Sequence, residues 1–132
     1  MDERKKVVCI YDEPEMIDLI KLILGRKGFE LTGAVGGREG LDAVRRVKPD
    51  LVLLGLRLPD MEGWQVNQCI KAEEELKDIP VIVMGSSWRI KYNAKFFAGT
   101  KVDDYVTAPF GPQELLQSVE RVPSPQRRLT QS

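Results

Sequence analysis

Few residues of this chain are equipped for chemistry, and their positions decide what chemistry is open. Histidine is absent, which removes imidazole as a general base and as a metal ligand. The two thiols, Cys9 and Cys69, lie far apart and outside any Cys-x-x-Cys pattern. Cys9 falls within an apolar run and reads as a small buried hydrophobe. Asp12 and Glu13 follow that run directly, and Ser86-Ser87 follow another. A serine pair at a helix start either binds an anion or caps the helix, and the cap is the simpler reading. The third place is the tip of Leu51 to Leu54, a continuous apolar run that reads as a strand buried on both faces. Function in an open parallel sheet sits at the carboxyl ends of its strands, so a reactive side chain is expected at that tip. The residue there is Gly55, with Arg57 two positions on, and Asp60 is the nearest acid downstream. No Gly-x-Gly-x-x-Gly follows a strand and no P-loop lysine is present, so nucleotide cradling has no support.

The elements that hold these positions are legible as alternating patterns. Lys5 to Tyr11 reads as a first strand, and Asp12-Glu13-Pro14 suits the first turn of a helix. Met16, Ile17, Ile20, Ile23 and Leu24 recur at helical spacing until Gly28 stops them. Phe29 to Ala34 is a weaker second strand. Gly36-Gly37 breaks the chain before a helix carrying Leu41, Val44 and Val47. After the third strand, Pro59 and Gly63 precede a helix to about Leu76. Pro80 to Met84 reads as a fourth strand, 86–98 as a less amphipathic helix, and Val102 to Val106 as a fifth strand. Pro112 opens a last helix with Leu115, Leu116 and Val119. Five strands alternating with five helices give an α/β doubly wound three-layer sandwich around a parallel five-stranded sheet.

The 132 residues fit one domain, assigned to 1–122. Residues 123–132 are rich in Pro, Ser, Gln and Arg and read as a disordered tail or a linker stub. Twenty basic residues balance twenty acidic ones, which predicts no nucleic-acid footprint and no membrane-seeking surface. No run reaches the ~18 apolar residues of a membrane span, and a cytoplasmic location is expected.

Four segments carry a resemblance: Ile10-Tyr-Asp-Glu-Pro14, Pro49-Asp-Leu-Val-Leu-Leu-Gly-Leu-Arg-Leu-Pro-Asp-Met-Glu-Gly63, Ile79-Pro-Val-Ile-Val-Met84 and Asp103-Asp-Tyr-Val-Thr-Ala-Pro-Phe110. In this order and spacing they make residues 7–119 resemble the receiver domain of two-component response regulators, with a flavodoxin-like (CheY-like) strand order 2-1-3-4-5. Such receivers take a phosphoryl group from a histidine kinase onto an aspartate at the third strand's tip. An acidic pair holds a divalent ion there, and a Ser/Thr and a Lys contact the phosphoryl oxygens. Carried over, the acceptor position is Gly55 and the acidic pair is Tyr11 and Asp12. The hydroxyl position is Gly85, with Ser86 beside it, and the lysine position is Ala108. Aspartyl phosphate needs a carboxylate oxygen as nucleophile, and Mg2+ wants more than one carboxylate. The resemblance therefore implies a degenerate pocket and no catalytic residue, with Mg2+ binding weak or absent and Asp12 its only candidate ligand. Tyr11 is expected to fill part of the vacated volume, Asp60 to point away from it, and Ala108-Pro109 to share the family's cis bond.

The family's aromatic switch position is Tyr105. On the fourth helix, Trp88, Tyr92 and Phe96 share i, i+4 spacing beside Lys95, and any exposed part of that stripe is a candidate interface. The leading expectation is a pseudo-receiver: not an enzyme, but a module signalling by contact with a histidine kinase or output protein, or as a homodimer through the fourth helix, fifth strand and fifth helix. Two alternatives stand beside it. One is phosphorylation at an unorthodox acceptor such as Asp12 or Ser86. The other is a small-ligand sensor, with Asp12 and the backbone near Arg57 as polar partners.

Overall fold

In the computed structural model, which describes residues 4–122, five parallel strands form one sheet in the order β2-β1-β3-β4-β5. They are β1 (Lys6–Ile10), β2 (Glu30–Ala34), β3 (Leu51–Gly55), β4 (Val81–Ser86) and β5 (Asp104–Ala108). The helices are α1 (Pro14–Gly25), α2 (Gly37–Val47), α3 (Gly63–Ala72), α4 (Ser87–Asn93) and α5 (Pro112–Arg121), with a 3-10 turn at Ala94–Phe97. The doubly wound class and the strand order expected from the sequence are both present.

The central strands lack hydrophobic alternation because both of their faces are covered. Val8, Ile10, Val52, Leu54, Val81 and Val83 pack with Val44 of α2 and Val66 and Ile70 of α3. Their neighbours Val7, Cys9, Leu53, Ile82 and Met84 pack on the other face with Ile17, Ile20 and Leu24 of α1 and Leu115 of α5. Each fully buried aliphatic side chain of this kind contributes about 1.5–3 kcal/mol, so the sheet's two cores set the fold. Burial pushes the Cys9 thiol up to about 12, far from the thiolate that reacts. Alkylation near neutral pH is expected to label the half-buried Cys69 and to reach Cys9 only on unfolding, as mass spectrometry with and without denaturant would show.

The elements end where local chemistry stops them. Gly28, at φ 89, takes the left-handed conformation that closes the turn after α1. Helix α3 stops at Ala72, short of Leu76, and Leu76 reaches the core from the turns that follow. The expected helix over 86–98 is α4 plus the 3-10 turn. Its core anchors are Ile90 and Phe97, and Phe97 is buried. The tighter 3-10 turn rotates Phe97 inward, so the chain leaves the α-helical path after Asn93. At the far edge, Asp104 ties β5 to α5, accepting from the Ser118 hydroxyl at 2.6 Å and from Arg121 at 2.9 Å. Burial would push this carboxyl up, but the Ser118 hydroxyl, the Tyr105 amide and Arg121 outweigh it and hold it below the ordinary range. The expected tail over 123–132 lies outside the described residues.

Candidate functional site

The sheet's register assembles the site. Ile10 pairs with Leu54, so the next residue of each chain segment, Tyr11 and Gly55, lie side by side at the carboxyl ends of β1 and β3. Gly55 likewise pairs with Met84, which brings Gly85 and Ser86 alongside. Ser86 in turn pairs with Ala108. Of these positions, which the sequence scatters over nearly a hundred residues, Tyr11, Gly85, Ser86 and Ala108 line a cleft of about 470 Å3 together with Asp12, Glu13, Arg57 and Arg89, while Gly55 lies against the Tyr11 ring. A more open cleft of about 600 Å3 continues from Asp12 and Arg57 across Pro59 to Gln65.

Large side chains fill the space above the small residues. A Cβ built on Gly55 would lie 2.9 Å from Cδ1 and 3.3 Å from Cε1 of the Tyr11 ring. Tyr11 is half-buried and packs against the α1/α5 core. Burial pushes its hydroxyl up, the carboxylates of Asp12 and Glu13 push the same way, and Arg89 opposes them. A Cβ on Gly85 would lie 2.6 Å from Cδ1 of Leu56, a buried side chain. Ala108 adds only a methyl group at the cleft's rim, and its bond to Pro109 is cis. The Ser86 hydroxyl is buried without a hydrogen-bond partner, and although Ser86 is the cap residue of α4 it makes no side-chain capping bond. Asp12 and Arg57 are exposed.

Asp60 lies apart from this cleft's floor. Its carboxylate accepts from the backbone amides of Gly37 at 2.7 Å and Arg38 at 3.0 Å. Because the cap position before α2 is Gly36, which has no side chain to offer, Asp60 supplies the cap from the β3–α3 loop. These two amides hold its carboxyl below the ordinary value of 3.8. A depressed folded-state value stabilises the fold above the unfolded value, and that stabilisation is lost as pH falls through the folded one. Asp60→Asn keeps an acceptor but cannot titrate. Its urea-unfolding stability is expected to fall less steeply than the native chain's as pH drops below 3.8.

The aromatic residues expected on the fourth helix stand outside the cleft. Trp88, Tyr92 and Phe96 are 64%, 63% and 41% exposed. Phe96 stacks on Trp64 of α3, with ring centroids 5.4 Å apart, and Tyr92 meets Phe96 edge-on at 6.5 Å. Lys95 lies over both Tyr92 and Phe96. Tyr105 is on β5, 39% exposed, its hydroxyl pushed up by partial burial. Sequence reasoning passed over Leu56, Trp64 and Arg89. Leu56 reads as the end of its strand, and only the packing shows that it covers Gly85. Trp64 and Arg89 have no spacing signal that marks them.

A parallel doubly wound sheet in the order β2-β1-β3-β4-β5, with its cleft over the ends of β1, β3 and β4, defines the flavodoxin-like fold class. The chain belongs to the response regulator receiver domain family, whose sequence profile it matches over residues 7–120, and so to two-component signalling. It is 32% identical over 114 residues to the DNA-binding dual master transcriptional regulator RpaA of Synechocystis, covering 86% of this chain and 47% of that one. It is also 32% identical over 117 residues to the cell cycle transcriptional regulator CtrA of Caulobacter vibrioides, covering 89% and 49%. The chain thus spans about half the length of the curated relatives it matches. Among solved structures, the chemotaxis response regulator CheY4 of Vibrio cholerae superposes with a TM-score of 0.82 at 19% identity, covering 89% of this chain and 98% of that one. The receiver domain of a Pseudomonas aeruginosa sensor histidine kinase, described with a magnesium ion in its active-site cleft, gives 0.80 at 22% identity, covering 89% and 96%. Among the described residues no helix is long and apolar enough to cross a membrane.

Proposed function

We propose that this chain is a pseudo-receiver, a receiver fold that passes signals by protein contact and does not accept a phosphoryl group. The observation that carries this reading is the packing over Gly55. The Tyr11 ring stands 2.9 Å from the point where a side chain at 55 would begin. An acceptor carboxylate has neither a residue to bear it nor room to occupy. The second glycine, Gly85, is covered by Leu56 in the same way, and Ala108 offers no ammonium group to a phosphoryl oxygen. The donor set does not fit a divalent cation. Mg2+ seeks near-octahedral oxygen coordination, whereas this cleft offers Asp12 and Glu13 against an aromatic ring and the guanidinium groups of Arg57 and Arg89. On this reading the chain catalyses nothing, needs no cofactor, and acts in the cytoplasm.

Its partners are a histidine kinase or an output protein of the pathway, or a second copy placed against α4, β5 and α5. The relatives named as DNA-binding are about twice as long. A formal net charge of +0 argues against nucleic-acid binding by this segment. The test is intact-mass analysis after incubation with acetyl phosphate and Mg2+. The mass is expected to stay unchanged. A covalent phosphoryl adduct, on Asp12, Ser86 or elsewhere, would overturn the proposal. A second reading, a small-ligand sensor, is favoured by one observation, the cleft of about 470 Å3, one of whose lining residues, Ser86, has a buried hydroxyl without a hydrogen-bond partner. A thermal-shift screen of small polar compounds addresses it.

A further inference from the structure

We propose that the cleft over Tyr11 is a reversible binding site for a small zwitterion, with an ammonium and a carboxylate group at opposite ends of a short aliphatic chain. This rests on the small-ligand reading of the cleft, and it names the class of ligand. The starting observation is a set of polar side chains that the fold does not use. Asp12, Glu13, Arg57 and Arg89 all line this cleft, two of each sign, yet no ion pair joins any of them among the described residues. Glu13 stands at the cap position of α1 without making a side-chain capping bond. Arg57 bridges to Glu62 through its backbone, and its side chain is exposed. Ser86 likewise lines the cleft, makes no cap, and has a buried hydroxyl without a hydrogen-bond partner. A buried group of that kind is costly until something bonds it.

The order of the strands separates the two signs. Asp12 and Glu13 follow β1 and Arg57 follows β3, while Ser86 ends β4 and Arg89 is on the first turn of α4. With β3 between β1 and β4, the strand that delivers the acids runs about 5 Å from that of Arg57 and about 10 Å from that of Ser86. The Tyr11 hydroxyl senses both ends of the cleft, since Asp12 and Glu13 push its titration up and Arg89 opposes them. Leu56, Met84 and Ala108 also line the cleft, an apolar stretch for methylene groups between polar ends. A carboxylate on Arg57, Arg89 and the Ser86 hydroxyl, with an ammonium on Asp12 and Glu13, satisfies both signs at once. A ligand of one sign matches half of the cleft and meets like charge in the other half.

Glycine, γ-aminobutyrate, δ-aminovalerate and ε-aminocaproate are titrated into the full chain by calorimetry, and backbone amide shifts are followed in isotope-labelled protein. Saturable binding by at least one of the series is expected, with shifts at Asp12, Arg57 and Ser86. Analogues of that compound lacking one charge, such as valerate and pentylamine for δ-aminovalerate, are expected to bind at least about tenfold more weakly. Arg57→Gln with Arg89→Gln is expected to erase the preference over the amine and keep that over the carboxylate. Asp12→Asn with Glu13→Gln is expected to do the reverse, a split that misfolding would not produce. No saturable binding across the series, shifts confined to residues outside the cleft, or equally tight binding of a singly charged analogue would overturn the proposal. A thermal-shift hit of another chemical class would leave the sensor reading standing while this one falls. Intact mass after acetyl phosphate and Mg2+ is recorded on the same sample. An adduct there overturns the pseudo-receiver reading and leaves the titration result standing.

Discussion

Gly55→Asp is expected to destabilise the domain by about 2 kcal/mol and, alone, to leave it unable to take up phosphate. The new side chain would start 2.9 Å from the Tyr11 ring and 3.4 Å from the Ile10 carbonyl oxygen. The backbone is fixed by the ladder, so the ring must move. Tyr11 is partly buried against the α1/α5 core, and moving it forfeits contacts that overpacked sites cannot replace. The carboxylate would also sit at a buried position without the second acid that elsewhere shares a cation. The cost is therefore coupled to Tyr11. In a double-mutant cycle by urea unfolding, Tyr11→Ala should recover at least half of it, since residues in contact are not additive. Restoring Tyr11→Asp, Gly55→Asp and Ala108→Lys together should give a chain that gains a phosphoryl group from acetyl phosphate and Mg2+. Additive stability changes, or phosphate uptake by Gly55→Asp alone, would show that the ring is no obstacle.

Gly63→Ala is expected to cost more, about 3 kcal/mol, with a fall in Tm of roughly 10 °C by calorimetry. A Cβ there would run into the Gly55 carbonyl oxygen, and would lie 3.0 Å from Leu56 Cα and 3.2 Å from the Gly55 carbonyl carbon. All three are backbone atoms and none can rotate aside. The approach is held from the other side too, because the Gly63 amide donates to the Leu56 carbonyl at 2.8 Å. The comparison with Gly55 is instructive: there the obstruction is a side chain that can yield, here it is the chain itself. An unchanged Tm for Gly63→Ala would mean that the turn relaxes, and the tight closure of the β3–α3 loop would have to be abandoned.

The fold was readable because its signals are local and redundant. Unbroken runs such as Leu51 to Leu54 mark strands covered on both faces, and Pro14 and Pro112 stand at helix starts where their missing amide costs nothing. The site was readable to the extent that register is: once β1 and β3 are neighbours, Tyr11 must lie beside Gly55. What filled the second gap was not readable, because Leu56 looks like the end of its strand and only the packing shows that it covers Gly85. The segment after β4 resisted for a different reason. Trp88, Tyr92 and Phe96 have the spacing of a helix face, yet Ile90 and Phe97 hold the core. Two competing apolar faces on one short helix cannot be ranked by periodicity. Likewise, nothing in the spacing of residue 60 announces that it caps a helix starting 23 residues earlier.

That borrowed cap gives the domain a local gauge. The amide protons of Gly37 and Arg38 are held by a side chain of the loop that borders the cleft, and not by their own helix. Their solvent exchange therefore follows the loop's opening equilibrium more than the helix's. Anything that levers the β3–α3 loop outward would release two protons on the opposite side of β1 from α4. Isotope labelling could watch the cleft breathe from that vantage without touching a single residue that lines it.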